Sequence, residues 1–200
     1  MTIVVHGTRA SGNCHKVKMV LDLTGHAYEW QEIDVTKGET RTPAFLRINP
    51  NGKVPAVVLN DGTALAESNA ILWYFGEGTR LVPGDRLGRA RMLQWMFFEQ
   101  YTHEPAIAVA RYICAFLGQH DDARLPSLRA RGGQALGVME QQLDAHPWFA
   151  GERLSLADLA LFAYTHRADE GGFDLAPFPA VRAWLDRCRA EPGITEMPRP

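Results

Sequence analysis

The spacing of apolar positions changes period once along the chain, and that change divides it. Up to Phe75, short apolar runs of strand length alternate with stretches of helical spacing. Residues 3–6 read as a strand, 13–24 as a helix and 28–34 as a second strand, a βαβ opening. On that helix Val17, Val20, Leu21 and Thr24 repeat on one face, with Lys16, Lys18 and Asp22 assigned to the opposite one, and Gly25 stands where a left-handed C-cap belongs. Thr42 and Pro43 supply an N-cap and a first-turn proline for a short helix through Ile48, which the turn residues Asn49-Pro50-Asn51-Gly52 close. Residues 56–59 and 64–66 flank the hairpin signal Asn60-Asp61-Gly62, and a helix follows from Glu67-Ser68 through Phe75.

Between residues 76 and 85, Gly76, Gly78, Pro83 and Gly84 break any periodicity, which marks a linker between one domain over 1–78 and another over 86–200. Beyond it only helical spacing recurs. Leu87, Ala90, Leu93 and Phe97, then Ile107, Ala110, Ile113 and Leu117, then Leu128, Ala135, Leu136, Met139 and Leu143 mark successive amphipathic helices. Ser155-Leu156-Ala157-Asp158 has serine at an N-cap and a carboxylate three residues on, a capping-box arrangement ahead of Leu159, Ala160 and Ala163. The pattern is therefore an α/β domain followed by an all-α domain.

Composition narrows the function. With 46% hydrophobic residues in a chain of 200, there is material for real cores. Lys plus Arg number 21 against 23 Asp plus Glu, a net charge of -2 with signs mixed throughout, so nothing favours nucleic acid or an anionic membrane, and a small polar metabolite fits better. No apolar run reaches the roughly 18 to 20 residues that span a bilayer, and the first residues lack a basic start followed by an apolar stretch, so the cytoplasm is the expected compartment. Cys14, Cys114 and Cys188 form neither a C-x-x-C pair nor a metal-ligand spacing, so reduced thiols and no metal site are expected. Cys188 falls in helical register with Val181, Trp184 and Leu185 and reads as core, as does Cys114.

Three motifs carry the chemistry: Ser11-Gly12-Asn13-Cys14-His15-Lys16-Val17 where the first helix starts, Asn49-Pro50-Asn51-Gly52-Lys53-Val54-Pro55, and Ala66-Glu67-Ser68-Asn69-Ala70-Ile71. In this order, with the Ser155 to Asp158 capping box, they resemble the soluble glutathione transferases over essentially the whole chain. The first motif is similar to the theta-like, zeta-like and bacterial nu-like groups. The resemblance implies a thioredoxin-like N-terminal domain and a helical C-terminal domain, a homodimer, glutathione as co-substrate with no tightly bound cofactor, and attack of the glutathione thiolate on small electrophiles.

It also implies roles for residues. A cis Val54-Pro55 bond would let the Val54 backbone pair with the cysteinyl backbone, the alternative being an ordinary trans proline at a strand start. Ser68, at a helix N-terminus where free N–H groups favour an anion, would hold the γ-glutamyl carboxylate, and Glu67 the ammonium; otherwise Ser68 is simply an N-cap. Lys53 is a weaker candidate for the glycyl carboxylate, and Thr40 stands where some relatives carry histidine or glutamine. A thiol of pKa near ~8.5 is mostly protonated at neutral pH, so the Ser11 hydroxyl, or the Asn13 side chain as in the nu-like group, would donate to the sulfur; the alternative is Ser11 as a cap. Serine in the place of an attacking cysteine excludes dithiol chemistry and leaves Cys14 structural, while His15 and Lys16 are assigned to solvent or to the second domain. The electrophile is expected between the domains near Arg9, Tyr101, His103, Arg111 and Tyr112. A glutathione-dependent disulfide reductase or peroxidase uses the same site, and a non-catalytic ligand-binding member of the fold is the other alternative.

Overall fold

The computed structural model describes residues 2–200, which form two compact units. One runs through Thr79 and takes in Met197–Arg199; the other spans Arg80–Glu196. The first contains β1 (Ile3–Gly7), α1 (Gly12–Thr24), β2 (Tyr28–Glu32), α2 (Pro43–Ile48), β3 (Ala56–Val58), β4 (Ala64–Ala66) and α3 (Ser68–Gly76). The sheet order is β2-β1-β3-β4, with β1 parallel to β2 and antiparallel to β3, and β3 antiparallel to β4. This is the thioredoxin-like arrangement.

Local chemistry sets the element ends. Gly25 closes α1 at φ 71°, Gly62 turns the β3–β4 hairpin at φ 88°, and the Thr42 hydroxyl caps α2 by accepting from the Phe45 N–H at 3.3 Å. β2 stops two residues earlier than the apolar pattern predicts. Asp34 turns the chain there, its carboxylate accepting from the N–H groups of Thr36 and Lys37 and from the Thr36 hydroxyl.

On α1 the structure corrects one assignment. Lys16, placed opposite the apolar stripe by sequence, is 0% exposed, and His15 is buried as well, so neither faces solvent. The spacing explains it: Lys16 lies three residues after Asn13 and four before Val20, on the same side of the helix as both. A long aliphatic stem lets a lysine lie along apolar surface and deliver its charge at a distance.

The second unit is helical: α4 (Arg86–Phe98), α5 (Glu104–Arg111), α6 (Leu125–Ala145), α7 (Leu156–Thr165) and α8 (Pro179–Ala190). The two helices expected over 87–117 are one continuous rod, because π-helical turns at Glu99–His103 and Tyr112–Phe116 join α4 to α5 and extend α5. Pro105 has no N–H to donate and its ring crowds the carbonyl one turn back, so the helix widens in the turn before it instead of ending.

The stripe expected to bury α4 is also corrected. Met92, Trp95 and Met96 face the core, whereas Leu87 is 59% and Phe97 70% exposed. Both stripes have helical periodicity, and the larger Trp and Met surfaces are the ones taken out of water. The later stripes are buried from Ile107 to Ile113 and from Leu128 to Leu143, as their spacing predicts, but Leu117, placed in the first of them, is 43% exposed because it follows the π-helical turn that ends the rod.

At the start of α7 the capping box forms and extends into the core. Asp158 is 0% exposed and accepts from the Ser155 N–H at 2.9 Å, the Ser155 hydroxyl at 2.8 Å, the Phe149 N–H at 3.1 Å and the Trp184 Nε1–H at 3.0 Å. Burial pushes its carboxyl up to about 6, with the four hydrogen bonds pulling the other way. Asp158→Ala leaves these donors buried without their acceptor and should destabilise the protein by roughly 3–5 kcal/mol in chemical denaturation. The folded state also holds this proton more tightly than the unfolded chain, so the group's contribution is fully present below about 4 and is lost as pH rises through about 6. Denaturation of the wild type and Asp158→Asn from pH 4 to 7 should show that falling component only in the wild type.

Candidate functional site

The three motifs meet because of strand register. His6 pairs with Ala56 across β1 and β3, and Ala56 pairs with Ala66 across β3 and β4. The C-terminal end of β1, the start of β3 and the end of β4 thus lie side by side. The segments that continue past them are the β1–α1 loop leading to Ser11, the approach Lys53-Val54-Pro55, and Glu67-Ser68. Residues far apart in sequence are delivered to one edge of the sheet.

Ser11 is the N-cap of α1, extended at φ -90° and ψ 125°, yet its side chain makes no capping bond to the helix. Backbone bonds hold the turn instead: the Ser11 N–H donates to the Thr8 carbonyl at 2.9 Å, and its own carbonyl accepts from the His15 N–H at 2.8 Å. The hydroxyl is engaged with the Cys14 sulfur. Cys14 is fully buried and also receives the Thr8 N–H at 3.4 Å; burial pushes its thiol up to about 11, only partly offset by these hydrogen bonds. It is a closed, protonated thiol.

The approach to β3 is fixed by Asn49, whose Nδ2 donates to the Lys53 carbonyl at 2.7 Å and whose Oδ1 accepts from the Asn51 N–H at 3.1 Å. Gly52 lies at φ 64° with its α-carbon facing Arg41 and the Thr40 carbonyl, where a Cβ would come within 2.6 Å of Arg41 Nη1. Thr40 is buried beneath this turn. The Val54–Pro55 bond is cis, as the resemblance implies, and the Val54 side chain packs against the cluster of Ile33, Phe45 and Ala56. The Lys53 side chain is exposed.

Glu67 is the one non-glycine residue of positive φ among the described residues, at φ 65° and ψ 111°. A backbone in this region costs on the order of 1–3 kcal/mol and is found where a site requires it. The next residue, Ser68, begins α3 and is buried. Its hydroxyl donates to Asn13 Oδ1 at 3.3 Å and accepts from Lys16 Nζ at 3.4 Å. Asn13, Lys16 and Ser68 are therefore brought together, with Ser11 at the same helix start and Glu67 adjoining Ser68. Sequence reasoning missed Lys16, although its three-residue spacing from Asn13 was the available signal.

The remaining candidates fall in both units. Arg9 stacks over Trp30 at 5.1 Å and pairs with Glu32 through its N–H at 3.0 Å and its Nε at 3.6 Å. Tyr101 is 88% exposed, and Tyr112 stacks on Phe116 at 5.4 Å. His103 is buried with Nε2 at 2.9 Å from Thr165 Oγ1, and buried Arg111 donates from Nε to Glu170 at 2.7 Å. Among the described residues, no group of three or more His, Cys, Asp or Glu side chains is placed to hold a metal, and no helix is long and apolar enough to cross a membrane.

Comparison with known proteins gives the family. Residues 10–77 match the glutathione S-transferase N-terminal domain and residues 98–192 the glutathione S-transferase C-terminal domain. The chain is 32% identical to the disulfide-bond oxidoreductase YfcG of Escherichia coli over 90% of its own length and 87% of that protein. It is 32% identical to glutathione S-transferase D7 of Anopheles gambiae over 96% of this chain and 88% of the relative. Among solved structures, a glutathione S-transferase from Xanthobacter autotrophicus superposes with a TM-score of 0.96 at 54% identity, over 99% of this chain and 98% of that one. The glutathione transferase URE2P6 of Phanerochaete chrysosporium, in complex with oxidized glutathione, superposes at 0.86 with 25% identity, over 96% and 93%. This chain belongs to the glutathione transferase family.

Two outcomes follow from the site. Because Gly adopts positive φ without a Cβ clash, Glu67→Gly should be more stable than Glu67→Ala by about 1 kcal/mol in chemical denaturation, while both lose the carboxylate. With its thiol buried and held protonated, Cys14 should resist iodoacetamide at pH 8 in the native protein and react once the protein is unfolded, as read by mass spectrometry of the alkylated peptide.

Proposed function

We propose that this chain is a glutathione transferase that binds glutathione at the sheet edge where β1, β3 and β4 end and uses its thiolate to attack small electrophiles. The observation that carries the reading is the convergence there of Ser11, Asn13, Val54, Glu67 and Ser68, all chosen from motifs in three separate parts of the sequence. The N-terminus of α3 presents its first backbone N–H groups to the γ-glutamyl carboxylate at Ser68, and Glu67 takes the ammonium. The Val54 backbone pairs with the cysteinyl backbone, and Lys53 reaches for the glycyl carboxylate. At the start of α1, the Ser11 hydroxyl or the Asn13 amide donates to the sulfur.

A thiolate accepts a hydrogen bond far better than a thiol does, so the Ser11 hydroxyl turns from Cys14 to the bound sulfur. A charge-assisted bond worth roughly 1.5–3 kcal/mol lowers the thiol pKa by one to two units, enough to populate the nucleophile at neutral pH. Similarity to YfcG favours a second reading in which the same thiolate attacks a disulfide. The fold also leaves Leu87 and Phe97 of α4 and the following Tyr101 exposed as an apolar stripe, and a second copy of the chain covers it in a homodimer.

Calorimetry should detect glutathione binding to the purified protein, and an ultraviolet titration of the complex should show a thiol pKa lowered by one to two units. Ser11→Ala or Asn13→Ala should return it toward the free value and lower kcat/KM for an aryl halide by about tenfold or more. No binding sinks the assignment. Turnover of a glutathionyl disulfide without aryl halide conjugation selects the reductase reading.

A further inference from the structure

Resting on the reading that Asn13 faces the glutathione sulfur, the geometry points to Lys16 as a positioning residue that, through the Ser68 hydroxyl, turns the Asn13 amide group so that its N–H donors face the sulfur. The chain of contacts is continuous: Lys16 Nζ donates to Ser68 Oγ at 3.4 Å, and Ser68 Oγ donates to Asn13 Oδ1 at 3.3 Å. Each step has a direction imposed by chemistry. An ammonium has only donors, so Ser68 must present a lone pair to it. With that lone pair taken by a cation, the single hydroxyl proton of Ser68 points outward to the next acceptor, which is Asn13 Oδ1.

The Asn13 amide has two faces of opposite character, a carbonyl oxygen and an NH2 group. A half-turn about its last bond would exchange them and set an oxygen against the thiolate. The Ser68 proton resists that exchange, since the turned amide would bring NH2 against a hydroxyl already polarised by the ammonium. Lys16 thereby selects the donor orientation at Asn13 through Ser68. The γ-glutamyl carboxylate is left to the backbone N–H groups that open α3, so holding it does not require the Ser68 proton.

The same chain couples the two ends of the ligand site. Ser68 stands where the γ-glutamyl group binds and Asn13 where the sulfur binds, so a change at Lys16 or Ser68 is felt in the ionisation of the thiol as well as in affinity. Simple charge attraction from Lys16 would act on the thiol whether or not Asn13 were present. The relay requires Asn13.

The test is a double-mutant cycle read by the thiolate absorbance of bound glutathione at pH 7, with every variant saturated as judged by calorimetry. Lys16→Met keeps the stem and removes the charge. It and Ser68→Ala should each reduce the thiolate fraction about three- to tenfold, the scale of one lost or reversed hydrogen bond, and Lys16→Arg should restore most of it. In an Asn13→Ala background, Lys16→Met should have no further effect. The proposal is overturned if Lys16→Met and Ser68→Ala bind glutathione with an unchanged thiolate fraction, or if the Lys16→Met effect survives in Asn13→Ala. If Lys16→Met does not fold, the Ser68→Ala arm with and without Asn13 decides by the same criterion. Wild-type protein that binds no glutathione, or binds it without lowering the thiol pKa, is the separate failure of the functional reading.

Discussion

The N-terminal unit depends on one register. Aligning His6, Ala56 and Ala66 across three strands places a loop, a strand approach and a helix start at the same edge of the sheet. A slip of one residue would turn Ala56 and Val57 each to the other face of the sheet and disrupt the core around Val5. Register is therefore held by burial, and burial is what brings the polar residues of the site together. None of these residues needs to stabilise the fold for the edge to form.

That edge is electropositive by construction. α1 and α3 both begin there, so two sets of backbone N–H groups and two positive dipole ends face the same region, and the Lys16 ammonium is added beside Ser68. Glutathione brings carboxylates and, once ionised, a thiolate. Two acids lie near this edge, Glu67 and, at the end of β2, Glu32; the proposed function sets Glu67 beside the ligand's ammonium. In the proposed function each charge of the tripeptide would meet an opposite one at this edge.

Most of this was legible before the structure. Strand and helix periods separated the two halves, Gly25, Thr42 and the Asn60-Asp61-Gly62 turn closed the elements where expected, and the three motifs lie in segments that the fold brings to one sheet edge. What sequence could not resolve were choices between two equally periodic faces. On α4 both Leu87-Phe97 and Met92-Trp95-Met96 repeat at helical spacing, and only packing decides which is buried. On α1 the residue type misled: a lysine reads as solvent-facing, while its spacing from Asn13 and Val20 sets it inside. The continuous rod through Pro105 escaped notice for a related reason, since proline reads as a break and a π-helical turn absorbs it. Asp158 shows the converse, because a buried carboxylate flanked by serine and an apolar run is recognisable when its cap partner is three residues away.

Three departures from local preference in the N-terminal unit fall together. A lysine is taken out of solvent, a glutamate adopts a backbone angle that suits glycine, and a serine N-cap declines to cap its helix, and all three lie at the same sheet edge. Each departure disfavours folding: burying an ammonium requires polar partners, positive φ strains a Cβ, and an uncapped N–H loses a bond. Each also leaves something for a ligand, namely a directed hydroxyl, a carboxylate that makes no cap bond to α3, and a serine hydroxyl not spent on capping α1. Ordinary packing in the rest of the unit, from Val5 through Val20 to Ile71 and Leu72, supplies the stability that these departures consume. Local inconsistency gathered at one edge of the sheet is a physical mark of a site that needs those residues, and it falls on residues that the motifs also singled out.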